Sequence, residues 1–93
     1  MLTMGDYHVP TATVVEAGAY GGDIHIRISG NWYRVEPHQE GEFREQYFVA
    51  EAPGKREMLA TALTAMSTGY KVYVETNGIE AYSVIDRIYC LTR

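Results

Sequence analysis

Cysteine is nearly absent from this chain. The single Cys90 cannot form a disulfide within the chain, and its place in a predicted strand makes it a small buried hydrophobe. Small secreted domains commonly rest on disulfides. The expectation is therefore a cytoplasmic protein, or one stabilised by self-association. Lysine is scarce as well: only Lys55 and Lys71 are present, and 12 acids outweigh 8 bases for a net charge of −4. Duplex nucleic-acid binders gain affinity by releasing counterions with Lys and Arg, so general nucleic-acid binding is disfavoured. No apolar run approaches the roughly 18 residues of a membrane span, and no membrane insertion is expected.

Chemistry-bearing patterns are missing too. Met1 to Asp6 lacks the basic and apolar regions of a signal peptide. That points to the cytoplasm, or to a secreted or periplasmic protein if the chain is a mature form. His8, His25 and His38 are far apart and have no carboxylate or cysteine at ligand spacing, so no metal site is expected. Spacing suggests no Ser-His-Asp or Cys-His arrangement, and Gly21-Gly22 lacks the helix a phosphate loop needs behind it. No catalytic residue, cofactor or enzymatic activity is expected.

What is present is β-rich punctuation. Ninety-three residues suit one domain. Residues 1–8 carry no periodicity and are expected to fray. Residues 11–19 read as a strand, with Val14 and Val15 on opposite faces. Gly21-Gly22 should turn a hairpin. Ile24, Ile26 and Ile28 then alternate with His25, Arg27 and Ser29, so three isoleucines face inward. Ser29-Gly30-Asn31 reads as a second turn. Residues 32–36 form a strand with Tyr33 and Val35 on one face and Trp32, Arg34 and Glu36 on the other. Residues 37–45, with Glu40, Glu42 and Glu45, read as a solvated acidic loop. Residues 46–50 are a short strand or the continuation of the third.

The second half is plainer. Pro53 sits where helices start, and residues 54–67 place Met58, Leu59, Ala62, Leu63 and Met66 on one apolar face. Gly69 fits the position just past the helix end. Residues 70–76 alternate strictly, Asn77-Gly78 marks a turn, and residues 82–91 form the last strand. Its apolar phase shifts between Ile85 and Ile88, which predicts a β-bulge.

The order is β-β-β-α-β-β, mainly β with one helix. One helix cannot cover both faces of such a sheet. The sheet should curl into an OB-fold-like five-stranded barrel with the helix at one end. The alternative is an α+β open antiparallel sheet with one packed helix.

The run KREMLATALTAMSTGYKVYVETNGIEAYSVIDRIY carries a family resemblance. Leu63, Ala65, Gly69, Lys71 to Val74, Tyr82, Val84, Ile85, Ile88 and Tyr89 match a pattern of small bacterial OB-fold proteins, with looser agreement over residues 22–32. The chain thus resembles the receptor-binding B subunits of pertussis-like and subtilase-like AB5 toxins. That resemblance implies a homo-oligomer, in the family a pentameric ring, which binds a glycan or protein receptor.

The candidate ligand patch joins His25 and Arg27 to Trp32 and Arg34, because Trp beside Arg and His suits stacking on a sugar ring. Trp32 could equally cap the barrel end. Tyr73, Tyr82 and Tyr89 are the candidate subunit interface. Asp86 and Arg87 read as a surface or interface pair. The leading expectation is a noncatalytic oligomeric binding module. A single-stranded nucleic-acid binder and a structural or regulatory subunit are the alternatives.

Overall fold

The computed structural model describes residues 6–51 and 53–91. Its elements run β1 (Tyr7–Tyr20), β2 (Asp23–Arg34), β3 (Gln39–Ala50), α1 (Lys55–Thr68), β4 (Val72–Thr76) and β5 (Ser83–Cys90). The sheet closes on itself in the order β1-β2-β3-β5-β4, with β4 returning to pair with β1. Neighbours are antiparallel except β3 and β5, which are parallel at Phe48↔Ser83 and Val49↔Val84. The sheet is therefore not the open one held as the alternative.

Closure gives the apolar residues an inside. Ile24, Ile26 and Ile28 point inward as their alternation predicts, joined by Val9, Phe43, Phe48, Val72, Val74 and Ile85. Phe48 stacks edge-on to Phe43 at 5.1 Å. The predicted hairpin forms: Tyr20 pairs with Asp23 across Gly21-Gly22, and Gly21 adopts a φ of 62° that glycine reaches at little cost.

Three local readings are corrected. Ser29-Gly30-Asn31 is no turn, because β2 runs through it. The pairing with β3 shifts register between Ile28 and Gly30, and a Cβ on Gly30 would lie 3.0 Å from the Thr11 carbonyl oxygen. Glycine here marks a close crossing of β1 over β2 at a bulge, not a chain reversal. Residues 37–45 are mostly strand: the connection is only Val35 to His38, and the glutamates lie along the exposed start of β3. Residues 7 and 8, expected to fray, belong to β1, paired on both sides to β2 and β4; residues 1–5 lie outside the described residues.

The helix ends as expected, with the Gly69 N–H donating to the Ala65 carbonyl at 2.9 Å. Its seat differs. Ala62 and Ala65 are the buried residues, while Leu63 and Met66 are exposed. The helix packs against β1 and β5 through its smallest side chains. Burying the alanine ridge leaves Met58 and Leu59 packed against the core and turns Leu63 and Met66 toward water, although spacing alone groups all of them on one face. The predicted bulge in β5 is present: Glu75 pairs with Arg87 and Thr76 with Ile85, leaving Asp86 as the extra residue.

Candidate binding cleft

A second bulge, in β1, creates the most distinctive surface. Val14 pairs with Ile28, but Glu16 pairs with Arg27, so Val15 is the inserted residue. A bulge exchanges the faces of everything beyond it. Glu16, Gly18 and Tyr20 consequently share the outer face with Arg27 and His25. Register then aligns Glu16, Arg27 and Tyr47 in one row across β1, β2 and β3, with Gly18, His25 and Val49 in the next.

The β4–β5 loop completes the wall. Tyr82 donates its backbone N–H to the Tyr47 carbonyl at 2.8 Å. Its ring stacks on that of Tyr47 at 5.8 Å and 15°. The Tyr82 backbone has a φ of 67°, the only such non-glycine residue among those described. A bulky side chain there costs about 1–2 kcal/mol, which makes the position worth a functional reading. His25 lies between the rings, 5.3 Å from Tyr82 and 5.6 Å from Tyr20. Tyr20 is 76% exposed and Tyr82 55%.

These rings and residues 16–20 of β1 line an open cleft of about 510 Å³. Its floor is small: Ala17, Gly18 and Ala19. A Cβ on Gly18 would meet nothing within 4 Å, so that glycine answers no packing need. Wide aromatic faces over a shallow floor suit a flat ring bound through C–H contacts, with polar groups at the rim.

The rim is a charge row. Arg27 reaches Glu45 at 2.9 Å and Glu16 at 3.5 Å, and its guanidinium lies 5.2 Å over the Tyr47 ring. The Tyr47 hydroxyl donates to Glu16 Oε1 at 2.6 Å. That bond holds the Tyr47 phenol proton above the ordinary tyrosine range, and burial adds to it.

A different cluster lies over β1, β4 and β5. The Tyr73 hydroxyl donates to Glu75 Oε2 at 2.8 Å. A phenol has one proton, so at the 2.8 Å contact with His8 Nδ1 the histidine must donate. His8 stacks on Tyr33, and Tyr73 on Tyr89, each at 5.0 Å. Arg87 stands 3.9 Å from the buried Glu75. Burial, then the bond to Glu75, holds the Tyr73 phenol proton far above its usual range. Burial, then Glu75 and Asp6, raises the Asp86 carboxyl. His8, Tyr73 and Glu75 satisfy one another across β1 and β4, with Arg87 of β5 beside them, which makes the cluster a strut of the closed sheet.

The predicted ligand patch divides. His25 and Arg27 belong to the cleft. Trp32 does not: it packs against the core, 6.2 Å from Phe43 and edge-on to Tyr7 at 5.4 Å. Arg34 lies over Tyr7 at 5.1 Å, at the far end of β2. Because β2 continues without a turn, Trp32 keeps the inward phase of Ile28. The predicted interface also divides. Tyr73 and Tyr89 stack on the strut, whereas Tyr82 precedes β5 and joins the cleft. Glu16, Tyr20 and Tyr47 are cleft residues that sequence reasoning passed over. The tyrosine directly before Gly21-Gly22 was the available signal. Among the described residues no group of three metal-ligating side chains gathers, and no helix is long and apolar enough to cross a membrane. No family model, curated protein or solved structure matches the chain.

Proposed function

We propose that this protein is a noncatalytic binding module that takes a saccharide ring in the cleft of Tyr20, His25, Tyr47 and Tyr82. The observation that carries the reading is the exposed aromatic wall over the small floor at Gly18. The strand order, the parallel β3–β5 contact and the helix between β3 and β4 support an OB-fold. Barrels of that kind bind oligosaccharides or oligonucleotides on strands 2 and 3 and on the loops joining strands 1–2 and 4–5. His25 of β2, Tyr47 of β3 and Tyr82 of the β4–β5 loop come from those places, and the end of β1 from Glu16 to Tyr20 adds the floor and one wall. A receptor-binding role similar to the AB5 toxin B subunits fits this reading. Carboxylates at the rim and the net charge of −4 favour a sugar over a nucleic-acid strand, which needs a cationic track. Self-association would use the exposed Tyr89, Leu63 and Met66.

Binding to an immobilised glycan panel tests the proposal. Wild type should bind at least one member. Tyr20→Ala should weaken that binding, and Gly18→Val should abolish it by filling the floor while leaving the melting temperature unchanged. Equal binding by both variants would remove the cleft from consideration.

A further inference from the structure

We infer that the cleft selects neutral, hydroxyl-rich saccharides and discriminates against their carboxylated or sulfated counterparts. The inference rests on the saccharide reading above and specifies the ligand's charge. It comes from which groups face the ligand and which are already engaged.

Glu16 is the charged side chain that lines the cleft itself, and it is 52% exposed. A carboxylate offers about four acceptor positions. One is taken by the Tyr47 hydroxyl at 2.6 Å and one by Arg27 at 3.5 Å. The remainder point to donors, which sugar hydroxyls supply. Tyr47 has given its only proton to Glu16, so toward a ligand its oxygen also accepts. On the Glu16–Tyr47 side the polar wall therefore accepts, while the Tyr20, Tyr82 and His25 side can donate to neutral hydroxyls as well.

The nearby cations do not reverse this. Arg27 is bracketed by two carboxylates, Glu16 and Glu45, and lies over the Tyr47 ring, whose other neighbour is Tyr82. It is not among the residues lining the cleft. Lys55 binds the Gly22 carbonyl at 2.9 Å, beside Asp23, the pairing partner of Tyr20. An anionic sugar would bring its charge toward Glu16, while the Arg27 guanidinium is already held between two carboxylates. Like charges within about 4–6 Å in a half-exposed site weaken binding about tenfold.

The test is an array of neutral oligosaccharides, each matched with its carboxylated and sulfated form, probed with wild type and Glu16→Gln at low and high salt. Neutral members should bind about tenfold tighter than their anionic partners. Glu16→Gln should narrow that gap. In wild type 0.5 M salt should narrow it too, because screening weakens an exposed repulsion; that arm needs no variant. Preference for the anionic member of the bound pairs overturns the inference and leaves the saccharide reading standing. Absence of any bound member, with Gly18→Val indistinguishable from wild type, overturns both.

Discussion

Tyr82 offers a test of the cleft's construction that needs no ligand. Its φ of 67° is a conformation glycine adopts freely and alanine does not. Two replacements, Tyr82→Gly and Tyr82→Ala, remove the same ring and the same stack on Tyr47. They differ only in backbone terms. Alanine retains the left-handed penalty of about 1–2 kcal/mol. Glycine escapes it but loses about 0.4–1 kcal/mol through the greater freedom of its unfolded chain. The glycine variant should therefore be the more stable of the two, by about 0.5–1 kcal/mol. At ordinary strand positions the order is reversed. Urea unfolding followed by the fluorescence of the single tryptophan, Trp32, reads the difference directly. With a denaturant slope of about 1 kcal/mol per molar, the midpoints should separate by about 0.5–1 M. An alanine variant as stable as the glycine variant, or more so, would show that the Tyr82 backbone carries no strain, and the functional argument from that position would fall. Both variants should lose saccharide binding alike, since the ring is absent from each.

The Asp86 carboxyl is held above its usual range, and its Oδ2 is buried without a hydrogen-bond partner among the described residues. A raised folded-state value means that stability from this group is fully present below the unfolded value near 3.8 and is lost as pH rises through the folded one. Asp86→Asn should thus be more stable than wild type at neutral pH and converge with it below about pH 4, read as paired melts across pH. A Cβ on Gly41 would lie 2.5 Å from the Trp32 ring. Gly41→Val should displace that ring, cost about 1–3 kcal/mol and shift Trp32 emission to the red; unchanged emission would contradict the inward seat of Trp32. Light scattering behind size exclusion should give a mass several times 10.5 kDa if subunits meet through Tyr89, Leu63 and Met66, and Tyr89→Lys should reduce it.

Local patterns sufficed wherever a single element decides its own fate. The isoleucine alternation of β2, the Gly-Gly hairpin, the helix ending at Gly69 and the phase slip at Asp86 are all written in neighbouring residues, because the periods of helix and strand are local properties. Their order favours a closed sheet over the open alternative, since one helix cannot cover two faces, and the β1–β4 pairing closes it. The cleft is another matter. It depends on an inserted Val15 that exchanges the faces of β1, and on closure that stacks Tyr82 on Tyr47, 35 positions away along the chain. The continuation of β2 through Gly30 likewise turned Trp32 inward and removed it from the patch to which its outward phase had assigned it. Bulges shift phase by one residue without a strong composition signal, and cross-strand neighbours are set by register. Sequence alone therefore determined the order of strands and helix, while only the tertiary structure decided the extent of β2 and β3 and which outer-face residues meet.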